Sequence, residues 1–242
     1  MPMSPSPSLH TLANGVRIVA LPTAALATST VAVFIRSGSA HEPKLINGIS
    51  HVVEHMLFKG TATRDARRIN LDAEKLGADV NAHTDRDHTA FYMRGLPEHS
   101  GEFAHMLADL VLQPSFPADE LERERQVLLQ ELAEDEDDPV SSAYKLFDSA
   151  CWGLHPAAMP VIGTRTRVER LTRDDLVQYV QRQYRGANVV VGALTFSVSS
   201  SISLSFARSA LLTAVSSAVV AASSTATGPS FVGVTVTATV AV

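Results

Sequence analysis

Residues 47–60 read NGISHVVEHMLFKG, and this stretch predicts an α-helix with two different faces. The apolar side chains follow the i, i+3, i+4, i+7 and i+8 spacing of a helical stripe that faces a core. They are Ile49, Val52, Val53, Met56 and Leu57. His51, Glu54 and His55 fall outside that stripe, because successive helical residues turn by about 100°. One side of the helix is therefore predicted to pack and the other to hold polar chemistry.

The His-x-x-Glu-His pattern at residues 51–55 suits a zinc site. Two imidazoles one helical turn apart can ligate one zinc ion, at about 2.0–2.1 Å each, and a neighbouring carboxylate can accept a proton from water. Zinc also needs a third protein ligand, which the motif does not contain. The alternative is a chance match, since a histidine pair on a helix is more often a surface feature. The motif alone leaves both interpretations open.

Strand and helix patterns interleave on both sides of this helix. Runs of β-branched residues bounded by turn residues predict strands at 16–21, 30–36, 79–84, 88–95 and 188–193. Amphipathic or capped segments predict helices at 65–76, 97–112, 119–135, 140–150 and 172–184. Asp119 with Glu122, and Thr172 with Asp175, have the spacing of capping boxes. Because no strict βαβ repeat is present, the pattern favours an α+β fold with a mixed sheet packed against helices.

Composition and charge exclude several classes of protein. The chain has 242 residues, 45% of them hydrophobic, which is enough for a substantial core. Its formal net charge of −5 leaves no basic footprint, so we predict no nucleic-acid partner. No stretch reaches the roughly 18 apolar residues of a membrane-spanning helix, so we predict no membrane partner. Cys151 is the one cysteine, which excludes an intramolecular disulfide, and it is predicted to be buried as a small apolar residue.

The two ends of the chain differ from its middle. Residues 1–10 begin MPMSPSPS and are predicted to be a loose terminus. This start lacks the features of a secretory signal, so the cytoplasm is the predicted location, with the periplasm as the alternative. Residues 194–242 are rich in Ser, Thr, Ala and Val and hold a single charged residue, Arg208. We expect an irregular low-complexity tail there, either a frameshifted reading or a natural extension, following a domain at 11–193.

Residues 48–61, GISHVVEHMLFKGT, closely resemble the zinc-binding segment of the pitrilysin/insulinase family, whose bacterial members are similar to mitochondrial processing peptidases. This segment is the inverted zinc motif of the inverzincins. The resemblance continues through 12–17, 38–42, 77–92, 156–164 and 171–191. It implies the N-terminal catalytic domain of such a protein, incomplete at its C-terminal end, with a largely antiparallel sheet.

The resemblance also assigns roles within a zinc centre that holds one Zn²⁺ per chain. His51 and His55 match the first two ligands, and Glu54 matches the general base. Glu131 falls at the family spacing for the third ligand, and Glu124, seven residues earlier, matches an acid that supports the ligands from outside. For Glu124 and Glu131, the alternative is a solvated helix face.

A peptide-binding hairpin is implied in the same way. Asn81 and Ala82 match positions of a strand that holds an extended peptide beside the zinc, as a sheet edge can do through main-chain hydrogen bonds. The alternative is that Asn81 is an ordinary polar residue near a turn. His83 and His88 flank this hairpin and are predicted to be strand residues.

The implied function is that of a zinc-dependent endopeptidase acting on peptides or small unfolded polypeptides. Full-length members of the family have a second domain of similar fold, in the same chain or in a partner. We therefore expect a second pitrilysin-like domain or subunit as a partner, besides the peptide substrate. The alternative is a non-catalytic or partner-dependent subunit that does not turn over alone.

Overall fold

This computed structural model describes residues 6–23 and 27–195. Six strands and seven α-helices lie within that part of the chain. The strands are β1 (Ser8–Thr11), β2 (Arg17–Pro22), β3 (Ser29–Ile35), β4 (Asp79–Thr84), β5 (Thr89–Gly95) and β6 (Val189–Thr195). The helices are α1 (Ile49–Leu57), α2 (Ala66–Lys75), α3 (Ser100–Leu112), α4 (Ala118–Asp137), α5 (Pro139–Trp152), α6 (Arg165–Arg170) and α7 (Arg173–Gln183).

The strands form one sheet in the order β1-β2-β6-β3-β5-β4. Neighbouring strands are antiparallel except β2 and β6, which run parallel. Helix α3 packs on β3 and β5, whereas α1 packs on β4 and β5 and also contacts α4 and α7. This arrangement confirms the predicted mixed, largely antiparallel sheet with helices packed against it.

Alternate side chains along the central strands β3 and β6 are buried. In β3, Val31, Val33 and Ile35 are buried, and so are Val189 and Val191 in β6, because alternate side chains of a strand point to one face. β-branched side chains also fit a pleated surface well. Since β6 lies between β2 and β3, it is the strand that joins β1 and β2 to the rest of the sheet.

The N-terminus differs from the prediction. Ser8–Thr11 were expected to lie in or beside a loose terminus, but they pair with β2 as strand β1. All four residues of β1 are exposed, so the strand is held by backbone hydrogen bonds rather than by burial. A strand without a buried face leaves no hydrophobic alternation in the sequence, which is why the pattern did not predict it.

The two capping-box predictions have opposite outcomes. Thr172 and Asp175 form the predicted box at the start of α7. The box predicted at Asp119 is wrong, because α4 begins one residue earlier, at Ala118, with Pro117 as its N-cap. Asp119 therefore lies inside the first turn, where its charge can interact with the helix dipole but not cap the helix.

Helix α5 exposes a stripe of large apolar side chains. Val140, Tyr144, Phe147 and Trp152 are each more than half exposed. Cys151 is also exposed, which contradicts its predicted burial. The prediction assumed that an apolar helix faces the core, whereas this face of α5 has no cover in the described part of the chain.

Residues 196–242, where the low-complexity tail is predicted, lie outside the described residues. The first two residues of that predicted tail belong to β6, because Leu194 and Thr195 continue its pairing with β2. Among the residues that the structure describes, no helix is long and apolar enough to cross a membrane.

Removing buried volume from β6 should weaken the whole domain. Val191 is 1% exposed, and Val191→Ala is expected to lower the free energy of unfolding by about 2 kcal/mol, since the cavity cannot close completely. Leu45→Ala is the control, because Leu45 is 89% exposed and its truncation should change stability by less than about 0.5 kcal/mol. Urea unfolding followed by circular dichroism measures both, and equal effects would contradict the central role of β6.

Candidate metal centre and peptide-binding edge

Helix α1 has the two faces that its sequence predicts. Its apolar stripe is fully buried, at 0–1% exposure; the stripe consists of Ile49, Val52, Val53, Met56 and Leu57. His51, Glu54 and His55 are only partly buried. The polar side chains therefore lie at the margin of the core, on a helix that the core holds in place.

The start of α1 is held by a buried carboxylate outside the helix. Glu42 is 4% exposed and accepts hydrogen bonds from Asn47 Nδ2, Gly48 N and Ser50 N at 2.8, 2.7 and 2.8 Å. A negative charge is favourable there, because the first N–H groups of a helix have no partner inside it. Glu42 thus stabilises the helix that presents the two histidines.

Gly48 allows the start of α1 to lie close to the loop that contains Gly163. Its φ is +97°, and a Cβ built on it would lie 2.9 Å from Gly163 Cα, closer than real Cβ contacts. A side chain at Gly48 is therefore excluded by backbone conformation and by space. Asn47 continues the contact, since its Nδ2 donates to Pro160 O and its Oδ1 accepts from Arg167.

Three side chains bring possible ligand atoms together. His51 Nε2 and His55 Nε2 lie 3.8 and 3.6 Å from Glu131 Oε2 of α4. Ligand atoms around a tetrahedral zinc ion, with bonds of about 2.0–2.1 Å, lie about 3.3–3.4 Å apart. These three residues therefore fit a zinc ion after a movement of a few tenths of an ångström.

Glu124 occupies the outer position that the resemblance implies for it. Its Oε2 lies 3.0 Å from His55 Nδ1, and its Oε1 lies 2.6 Å from Lys59 Nζ. A carboxylate on Nδ1 favours the tautomer with its proton there, which leaves the lone pair of Nε2 directed at a metal. His51 Nδ1, by contrast, is buried without a hydrogen-bond partner within the described residues.

Burial shifts the pKa values of two groups in this cluster. Burial, and then the neighbouring His55, lower the pKa of His51 to about 4, so the ring is neutral at physiological pH. Neutral imidazole is the form that binds metals. Burial also raises the pKa of Glu54, although the hydrogen bond from Thr84 and the nearby histidines oppose the shift. A carboxylate with a raised pKa is a better proton acceptor near neutral pH.

The strand that contains Asn81 and Ala82 is an open edge of the sheet. β4 pairs with β5 on one side and has no partner strand on the other side in the described residues. Asp85 N donates to His88 O, so the ladder bonds fall on odd-numbered residues of β4. The backbone groups of Val80, Ala82 and Thr84 therefore face the open edge.

This edge lies beside α1. Thr84 Oγ1 donates to Glu54 Oε2 at 2.5 Å, which connects the end of β4 to the helix that contains the two histidines. Ala82 is two residues away along the strand, and its N–H donates to the side chain of Asn81 at 2.8 Å. The structure thus places the predicted peptide-binding residues on the strand adjoining the candidate metal centre.

Sequence reasoning missed three residues of the site: Glu42, Lys59 and Thr84. All three act through side chains that meet partners from other elements. All three lie within segments that carry the family resemblance, so a residue-by-residue use of that resemblance would have drawn attention to them.

Comparison with known proteins reveals sequence similarity over most of the domain. A model of the insulinase family, Peptidase family M16, matches residues 17–165. The chain is 36% identical over 199 residues to the uncharacterized zinc protease YmxG of Bacillus subtilis (strain 168), covering 82% of this chain and 47% of that protein. It is 30% identical over 190 residues to a probable mitochondrial-processing peptidase subunit beta of Arabidopsis thaliana, covering 78% of this chain and 36% of that one.

A solved structure shares the fold. The crystal structure of a protease from Helicobacter pylori matches with a TM-score of 0.75 and 25% identity, over 81% of this chain and 47% of that chain. The chain therefore spans less than half the length of the relatives that it matches.

Glu42→Gln should destabilise the domain. The substitution removes a buried charge and turns one acceptor oxygen into an amide facing N–H donors, so we expect a loss of about 2–3 kcal/mol in the free energy of unfolding. Glu98→Gln is the matched control, because the side chain of Glu98 is 66% exposed. Urea denaturation of the two variants makes the measurement, and a Glu42→Gln variant as stable as Glu98→Gln would refute the anchoring role.

His51 should make the metal-free protein less stable in acid. Its pKa is about 4 in the folded chain against 6.5 ordinarily, so between these values the unfolded chain binds a proton that the folded chain does not. This contribution to stability is full above pH 6.5 and is lost as the pH falls toward 4. We expect the loss to be about 2–3 kcal/mol larger in the wild type than in His51→Asn.

Urea unfolding in EDTA across that pH range tests this expectation. His10→Asn is the control, since His10 is exposed on β1 and its removal should leave the wild-type slope unchanged. Parallel pH profiles for the wild type and His51→Asn would show that burial does not hold His51 neutral.

Proposed function

Because the chain belongs to the insulinase family of peptidases, family M16, we propose that it is the zinc-binding half of an endopeptidase that hydrolyses peptides or small unfolded polypeptides. One observation carries this proposal. The His51, His55 and Glu131 ligand atoms converge beside Glu54, at the end of an open sheet edge.

His51, His55 and Glu131 are the residues that would hold one zinc ion. When bound, zinc would act as a Lewis acid that polarises the scissile carbonyl and lowers the pKa of water. Glu124 orients His55 from Nδ1, and Lys59 balances the charge of Glu124. Such outer partners commonly set the orientation and basicity of a ligating histidine.

Glu54 is the proposed general base. Thr84 holds its Oε2, which leaves Oε1 for proton transfer. The carboxylate accepts a proton from the water that attacks the peptide carbonyl and returns a proton to the leaving amine. Its raised pKa, caused chiefly by burial, suits both steps, since the same group must act as base and then as acid.

The β4 edge is the proposed binding surface for the substrate. An extended peptide would pair with the edge-facing backbone groups of Val80, Ala82 and Thr84 and so extend the sheet. Asn81, whose side chain accepts from Ala82 N, would release that N–H to the peptide. Main-chain pairing makes few demands on substrate sequence, which fits a peptidase that acts on unfolded segments.

We further propose that turnover requires a second, similar domain or subunit. The chain spans less than half of its relatives, and one of them is named as a subunit. The exposed apolar stripe on α5 is suited to such a partner, because apolar patches of this kind mark protein interfaces. The second candidate function, a non-catalytic subunit, rests on the same observations.

Glu54→Gln should keep zinc but lose activity. Proton transfer of this kind contributes about 10²–10⁴-fold to the rate, and the substitution removes it without removing a ligand. Zinc content by atomic absorption is measured together with chelator-sensitive cleavage of an unstructured fluorogenic peptide, the cleavage in the presence of a separately expressed second half of a relative. Glu136→Gln, an exposed position on α4, is the control and should retain both.

The same assay, run with and without that second half, distinguishes the two candidate functions. Cleavage by the wild type, with loss in Glu54→Gln, would support the endopeptidase. Tight zinc without cleavage under either condition would support the non-catalytic subunit. Cleavage by Glu54→Gln at the wild-type rate would exclude Glu54 as the base.

A further inference from the structure

The turn between β4 and β5 brings two histidines into contact. His83 lies in β4 and His88 directly precedes β5, and their Nε2 atoms are 3.2 Å apart. The rings are almost perpendicular, at 89°. Neither imidazole takes part in the candidate metal centre described above.

This separation suits two nitrogens that share one metal ion. With bonds of about 2.0–2.1 Å, two nitrogens lie about 2.9 Å apart at a right angle and about 3.3–3.4 Å apart at a tetrahedral angle. The observed 3.2 Å falls between these limits. Imidazole ligands suit Zn²⁺, Cu²⁺ and Ni²⁺ rather than Mg²⁺ or Ca²⁺.

Asp87 prepares His88 for this role. Its Oδ1 lies 2.6 Å from His88 Nδ1, so the ring proton is favoured on Nδ1 and Nε2 keeps its lone pair. The hydrogen between the two rings then belongs to His83 Nε2. An arriving cation would take both Nε2 lone pairs while the His83 proton moves to Nδ1, with no net change in protons. Glu124 stands in the same relation to His55.

The backbone holds the pair in place. Asp85 N donates to His88 O across the turn, and the backbone oxygens of Asp85 and Arg86 accept from Ser39 N and Ala40 N. The Arg86 side chain is also paired with Asp148 of α5. A site on such a fixed turn needs little reorganisation to bind an ion.

The pair is also accessible to solvent, and two carboxylates lie near His88. His83 is exposed, and the His88 side chain is 30% exposed. Asp85 and Asp87 each place a carboxylate oxygen within 4.8 Å of a His88 ring nitrogen. Because Asp87 is engaged at Nδ1, water would complete the coordination of a partly solvated ion bound at the two Nε2 atoms.

We propose that His83 and His88 form an accessory site for one divalent transition-metal ion of the zinc, copper or nickel type. One of its ligands, His83, lies between Ala82 and Thr84 on β4, the strand whose edge is free for pairing. Its occupancy does not depend on whether the chain hydrolyses peptides.

Metal counting on the metal-free full chain tests the proposal. Equilibrium dialysis against micromolar free Zn²⁺ should give two ions per chain for the wild type and one each for His83→Asn and His88→Asn. His10→Asn, exposed on β1, should still bind two. Asp87→Asn should weaken the second ion about 10–100-fold, as loss of an outer carboxylate does.

A second measurement isolates the pair. In a His51→Asn/His55→Asn chain, one bound Cu²⁺ should give an electron paramagnetic resonance spectrum with two nitrogen ligands. Adding His83→Asn should reduce the number of nitrogen ligands. A single ion in the wild type, or a second ion that persists in both His83→Asn and His88→Asn, would overturn the proposal. Dialysis of the wild type decides the matter if the double variant does not fold.

Discussion

Three N–H groups at the start of α1 point at the carboxylate of Glu42, a charge that the protein encloses almost completely. Each hydrogen bond offsets part of the cost of removing that charge from water. A helix of nine residues would be marginal alone, so its place depends on this anchor and on its buried stripe. Because side-chain direction changes by about 100° per residue, the anchor also fixes where the two histidines point.

Elements distant in sequence then supply a matching charge distribution. The polar side of α1 faces Glu131 and Glu124 of α4, while β4 adds Thr84. Within the described residues, the carboxylates of Glu54, Glu124 and Glu131 surround the two imidazoles, and Lys59 is the cation that the ion pairs place among them. Such an excess of negative charge in a partly buried site favours a divalent cation.

Local sequence patterns predicted the helices and strands better than they predicted the contacts between them. The stripe of α1 and the Thr172 box are local, because spacing along one helix determines them, and the structure contains both. The position of Glu131 beside His51 could be inferred only from family resemblance, since 80 residues separate them. Glu42, Thr84 and the His83–His88 contact leave no periodic signal, because each depends on how separate elements pack. β1 was not predicted for a related reason, since a strand that pairs through its backbone without burial has no hydrophobic pattern.

The position of β6 in the sequence and in the sheet constrains when the domain can fold during synthesis. Arg17 pairs with Val190, so the parallel partner of β2 leaves the ribosome long after β2 itself. Until β6 is synthesised, the nascent chain has an open gap between β2 and β3, with unpaired backbone on both borders. Exposed strand edges of this kind invite aggregation during folding. The decisive step in folding of this domain is therefore expected to wait until β6 has been synthesised and to benefit from chaperones that shield the gap.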